Sequence, residues 1–177
     1  DRLDVSEEDK QLLLREVFLS VEWVQMDRGT LREETAEPLM CQRLPAHLHS
    51  AVHSLVSLWD NPMLPIAGMA ELVEELKGNG YGIYLLSNAP VTFAADLDIY
   101  PILKIFDGLV VSGPIQMVKP NADIFLHTLE KFGLKAEESL FVDDMEVNCE
   151  GARKVGMYGY TYSGDADRLL ECIADAQ

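Results

Sequence analysis

The sequence predicts an α/β protein, a Rossmann-like doubly wound parallel sheet preceded by a small all-helical domain. Three observations predict it. From residue 63 onward, short apolar runs alternate with segments of helical periodicity, the pattern of parallel strands joined by right-handed crossovers. Before that, residues 1–62 carry helical spacing and no strand signal. Asn61-Pro62 and Pro65 punctuate the change of character, so the expected domains are 1–62 and 63–177.

The elements follow in order. Ser6-Glu7-Glu8-Asp9 has the form of an N-cap with acids in the first turn, and Leu13, Val17, Val21 and Val24 recur at helical spacing until Asp27-Arg28-Gly29. Thr30 with Glu33 makes a second capping box. A third helix runs from about Pro45 to Trp59 on a stripe of Leu48, Val52, Leu55 and Trp59. His47, His49 and His53 flank that stripe, which argues against a metal site there. In the α/β region, Met69, Leu72, Val73 and Leu76 define a helix closed by Gly78-Asn79-Gly80, and Ile83-Tyr84-Leu85-Leu86 is a buried strand ending at Ser87-Asn88. Leu109-Val110-Val111 is the next strand. Lys119-Pro120 then precedes a helix with Ile124, Phe125, Leu129 and Phe132 on one face. Pro120 suits the first helical turn, which sets Lys119 near the positive end of the helix dipole. Leu140-Phe141-Val142 has no polar face and reads as a strand covered on both sides. It stops at Asp143-Asp144, before a helix that Gly156 ends. Met157 to Tyr162 is a last strand and Asp165 to Ala174 a terminal helix.

Composition narrows the partners. Fourteen basic against thirty acidic residues give a net charge of -16, which repels nucleic acid and anionic membrane surfaces. Neither is an expected partner, and an anionic small molecule must meet a local positive site. No run reaches the ~18 apolar residues of a membrane span and no signal peptide opens the chain, so a cytoplasmic location is expected. Cys41, Cys149 and Cys172 are odd in number and form no CxxC pair, so buried thiols are expected rather than disulfides or a zinc knuckle.

The chemistry is concentrated at the predicted strand ends, where open α/β sheets bind ligands. Two ionised carboxylates at about 4 Å repel by roughly 4 kcal/mol at an effective dielectric near 20. Asp143 and Asp144 therefore ask for a cation. A divalent metal satisfies that demand; a helix N-cap at Asp144 with an exposed Asp143 explains the same pair equally well. Ser87-Asn88 offers a hydroxyl and an amide that hold an anion without adding charge, and Lys119 is either solvated or paired with phosphate or carboxylate.

Taken together and in this order, Ser87-Asn88, Lys119-Pro120 and Asp143-Asp144 with Asn148 resemble the second, third and fourth motifs of the haloacid dehalogenase-like (HAD) hydrolase superfamily. The resemblance extends from Pro65 to about Tyr162 and includes Pro65-x-x-Gly68 and Lys119-Pro120-x-x-x-Ile124-Phe125. By placement, the helical segment before it resembles that family's helical cap. The resemblance implies Mg²⁺-dependent phosphoryl transfer through an aspartyl-phosphate intermediate, acting on a small phosphorylated metabolite. Ser87 and the Asn88 backbone would hold the phosphate and Lys119 would neutralise it. Asp144 would ligate Mg²⁺, Asp143 would support it through water or from a second shell, and Asn148 would assist.

One motif of the family, an apolar strand ending in Asp-x-Asp, has no counterpart here. Asp96-Leu97-Asp98 and Asp165-Ala166-Asp167 follow no apolar strand; they read as a polar face and a helix start. In the family that missing strand is central and carries the nucleophile. The expectation is therefore a nucleophile upstream of Asp1, on roughly 15 to 25 further residues that fill the slot, unless another element or chain fills it. The strands ending at Ser87 and Asp143 should then not pair with each other. Taken at face value instead, the chain would be a catalytically inert member of the fold that binds phosphate-bearing ligands or a protein partner. Hydrolytic dehalogenation needs no metal and leaves Asp143-Asp144 unexplained, and in a response-regulator receiver the acid pair comes first in the chain rather than last.

Overall fold

The computed structural model describes residues 5–57, 66–95 and 99–175. Trp59, Asn61-Pro62, Pro65 and Asp96-Leu97-Asp98 lie outside the described residues. The chain divides into two units, one of Asp1–Met63, Asn88–Ile99 and Val111–Gln116, the other of Leu64–Ser87, Tyr100–Val110 and Met117–Gln177.

In the first unit Ser6 caps α1 (Glu7–Leu13) as expected, its hydroxyl accepting from the Asp9 amide at 3.1 Å. The single long helix expected up to Asp27 does not form. A π turn, Leu14–Phe18, is followed by a new helix, α2 (Val21–Asp27). Leu19 N–H reaches back to the Leu14 carbonyl, and Ser20 recaps the chain by accepting from the Trp23 amide at 3.2 Å. The extra residue turns the stripe, so Leu13 and Val17 are buried while Val21 and Val24 are exposed and Met26 takes the core position. The expected capping box at Thr30 is also corrected. Thr30 donates to the Gln25 carbonyl and closes the preceding helix, and α3 (Glu33–Cys41) starts without a side-chain cap. A 3₁₀ turn, Ala46–Leu48, leads into α4 (His49–Val56), where Leu48, Val52 and Leu55 face the core as read. The histidines find other partners: His47 meets Asp9, His49 the Leu44 carbonyl and His53 Glu37.

Arg43 ties this unit together. Its two terminal nitrogens each donate to one carboxylate oxygen of buried Glu22 at 2.9 Å, and its Nε donates to Glu16 at 2.9 Å. Arg43 holds the Glu22 carboxyl below its ordinary value, against the upward push of burial. Stability from an acid so depressed is complete above the unfolded value of about 4.3 and is lost as pH falls through the folded one. Glu22→Gln is thus expected to lower stability by about 1–3 kcal/mol at neutral pH, with the gap to wild type closing below about pH 4. Thermal melts from pH 3 to 7 test this; a gap independent of pH would show that the ionised carboxylate contributes nothing.

The second unit carries the described strands except for Val111, the last residue of β2. α5 (Met69–Gly78) buries Leu72, Val73 and Leu76 as predicted. β1 (Tyr84–Ser87) pairs with β2 (Gly108–Val111), and β3 (Leu140–Asp143) pairs in parallel with β4 (Tyr158–Thr161), with Asp143 opposite Thr161. Two short helices, α6 (Val91–Ala95) and α7 (Ser112–Ile115), belong to the first unit. Among the described residues β1 and β3 do not pair with each other. Burial is shallower than expected: β1 is half-buried along its length and Leu140 is exposed. The reason is alternation, since successive strand residues face opposite ways: Phe141 meets the Phe125 ring at 5.1 Å edge to face, and Tyr84 meets the Phe132 ring at 4.8 Å. Phe125 and Ile124 are fully buried on α8 (Ala122–Phe132), with Leu129 on the same face. Pro120 is not in the first turn of that helix; it precedes the N-cap Asn121, and the Lys119–Pro120 bond is cis. α9 (Glu146–Lys154) and α10 (Ala166–Asp175) complete the unit, Asp165 capping α10 by accepting from the Arg168 amide at 3.1 Å. Cys149 is buried as expected, but Cys41 is only half-buried and Cys172 is exposed on α10. No described helix is long and apolar enough to cross a membrane.

Candidate functional site

The end of β3 gathers most of the residues singled out by their motifs. Asp143 is the last residue of the strand, and its side chain is 7% exposed. Three donors satisfy it. Lys119 Nζ donates to Oδ2 at 2.7 Å, while the Met145 N–H and Asn148 Nδ2 each donate to Oδ1 at 2.9 Å. Burial by itself pushes this carboxyl up. The charge and hydrogen bond of Lys119, with Asn148 and the Met145 amide, outweigh that and hold it below the ordinary carboxylate value.

Lys119 has a second bond that places it. Its Nζ donates to the Leu86 carbonyl at 3.1 Å, one residue before Ser87 at the tip of β1. The ammonium thus spans the ends of β1 and β3 and lies 5.3 Å from the centre of the Phe141 ring. A compact charge with three donors suits such a post better than a planar fork.

Helix α9 delivers Asn148 to this point because Gly151, one turn later, has no side chain. A Cβ there would lie 2.5 Å from the Pro120 carbonyl oxygen and 2.9 Å from the Phe125 ring. Close approach of α9 to the segment after Lys119 therefore requires glycine. Cys149 and Ala152, on the same inner side, are fully buried.

Asp144 is the contrast. Its side chain is exposed, immediately beside a carboxylate that is enclosed. The reading in which Asp144 caps the helix and Asp143 is exposed is reversed by this arrangement, for Met145 occupies the N-cap position and Asp143 is the enclosed member. Ser87 and Asn88 follow the Leu86 carbonyl, so Lys119 is linked to them through the backbone. The Leu86 carbonyl, the Met145 amide and the Phe141 ring belong to the arrangement and carried no signal in the sequence, because two are backbone groups and the third reads as an ordinary strand residue.

A family model of haloacid dehalogenase-like hydrolases matches residues 10–156. The chain is 29% identical over 171 residues to a sesquiterpene phosphatase of Aspergillus oryzae, covering 93% of this chain and 84% of that one. It is 27% identical over 160 residues to a phosphoglycolate phosphatase of Shigella boydii, where the match covers 82% of this chain but only 63% of the relative's length. Among solved structures, a HAD family enzyme from Bacteroides thetaiotaomicron in complex with magnesium and inorganic phosphate superposes with a TM-score of 0.66 at 21% identity, covering 96% of this chain and 91% of that one.

Proposed function

Since this chain belongs to the haloacid dehalogenase-like hydrolase family, we propose that it is a Mg²⁺-dependent phosphatase acting on small phosphorylated metabolites through an aspartyl-phosphate intermediate, with residues 1–62 as its cap. The observation that carries this reading is Lys119, buried between the Leu86 carbonyl and Asp143 beside an exposed Asp144. In a chain of net charge -16, a fixed cation at the strand ends is what an anionic phosphoryl group needs.

Each residue has a role in this reading. The Ser87 hydroxyl and the Asn88 backbone amide hold the transferring phosphoryl group, and Lys119 neutralises its developing charge. Asp143 keeps that ammonium in place, and Asn148 keeps Asp143 oriented. The donor chemistry fits the metal. Among the described residues no group of three His, Cys, Asp or Glu side chains gathers, but Mg²⁺ characteristically takes one or two carboxylates and completes its shell with water and substrate phosphate. Asp144 would hold it, with Asp143 in support. When bound, the ion would supply further positive charge on the phosphoryl oxygens. The residues assigned here form the clamp and the metal support; the nucleophile is a separate aspartate.

The intact protein, given phosphate monoesters including a generic aryl phosphate, is expected to release phosphate with Mg²⁺, to stop with a chelator and to resume on re-addition. Phosphate binding without turnover of any monoester would overturn the enzymatic reading in favour of a ligand-binding member of the fold.

A further inference from the structure

Ser112, the first residue of α7, is completely buried, yet its hydroxyl is engaged on two sides. It accepts from the Ala89 N–H at 2.8 Å and donates to the Asp27 carbonyl, at the end of α2, at 2.5 Å. The next residue completes a bracket: the Gly113 N–H donates to the Ala89 carbonyl at 3.0 Å. Both peptide groups flanking Ala89 are thereby fixed, and Ala89 directly follows Asn88.

The contact is too tight for larger residues. A Cβ on Gly113 would lie 2.7 Å from the Val91 nitrogen and 2.9 Å from the Ala89 carbonyl oxygen, and one on Gly29 would lie 2.2 Å from the Gly113 oxygen. Three segments, at Asp27–Gly29, Ala89–Val91 and Ser112–Gly113, therefore meet backbone to backbone. A hydroxyl at their centre fixes an orientation, which an apolar side chain of the same size would not do. The peptide plane it fixes lies between Asn88 and Ala89, so the chain leaving Asn88 is held in one direction.

Resting on the phosphatase reading, we propose that Ser112 is a positioning residue for the phosphate site. It holds the Asn88–Ala89 peptide, directly after the Asn88 amide assigned to the phosphoryl group, and references that peptide to the C-terminal end of α2. Misplacement of a phosphate ligand by a fraction of an ångström weakens the transition state far more than the fold.

The matched control is Ser20, another buried serine of the same unit, whose hydroxyl also makes two backbone bonds, to the Trp23 N–H at 3.2 Å and the Val17 carbonyl at 2.7 Å, but does not touch Ala89. Both Ser112→Ala and Ser20→Ala lower the unfolding midpoint. Assayed well below that midpoint, Ser112→Ala is expected to lower kcat with an aryl phosphate and to raise the inhibition constant of inorganic phosphate by on the order of 10- to 100-fold, while Ser20→Ala leaves both near wild type. Equal effects from the two variants overturn the assignment. Should Ser112→Ala fail to fold, amide exchange in the wild type decides: inorganic phosphate with Mg²⁺ slows exchange at Ala89 and not at Trp23, and an Ala89 amide indifferent to phosphate overturns the proposal. A wild type that hydrolyses no monoester overturns the phosphatase reading instead, and the Ala89 exchange then judges Ser112 independently.

Discussion

Replacing Lys119 with alanine is expected to destabilise the protein by about 3–5 kcal/mol and to lower turnover by on the order of 10²- to 10³-fold. The sequence left Lys119 either solvated or paired with phosphate or carboxylate. The structure decides between them. The Lys119 side chain is 9% exposed and that of Asp143 is 7% exposed, so removing the ammonium leaves a carboxylate enclosed without its counter-charge. Hydrogen bonds from Asn148 and the Met145 amide remain, but they do not replace a charge. Against a total stability of about 5–15 kcal/mol the loss is large. Urea denaturation at neutral pH, beside kinetics with an aryl phosphate, checks both halves. Unchanged stability would show that the pair contributes nothing to the fold. Lys119→Arg restores the charge but cannot set one compact ammonium between the Leu86 carbonyl and Asp143, so it should recover part of the stability and little of the turnover.

Asp144→Asn is expected to separate the two effects: abolish Mg²⁺-dependent turnover and leave stability within about 0.5 kcal/mol of wild type. Asp144 is exposed and beside the enclosed Asp143, so its loss opens no cavity and leaves no buried group unpaired. Turnover that survives in the variant at saturating Mg²⁺ would remove Asp144 from the metal site. The paired experiment is informative because both variants lose turnover, but only the one that strips the enclosed Asp143 of its counter-charge loses stability.

Much of the architecture was legible in the residues. Periodicity marked α5 and α8, and apolar runs marked β1, β2 and β3, because a helix face and a buried strand each require a repeat that the chain must spell out. The order of Ser87-Asn88, Lys119-Pro120 and Asp143-Asp144 likewise pointed to the family before any coordinates. Failures came where one residue's local preference was outcompeted. The π turn at Leu14–Phe18 shifted the stripe away from Val21 and Val24, and Thr30 bonded backwards to Gln25 rather than forwards to α3.

What the sequence by itself determined is the kind of group at each strand end: a hydroxyl, an ammonium and two carboxylates, separated along the chain by the lengths of the intervening helices. What only the tertiary structure decided is which carboxylate is enclosed and which faces water, and that a serine 24 residues beyond Asn88 in the sequence, Ser112, grips the peptide that follows Asn88. The physical reason is that enclosure and backbone bonding depend on which segments approach within 3 Å. That distance is set by packing at Gly151 and Gly113 and leaves no periodic trace in the chain.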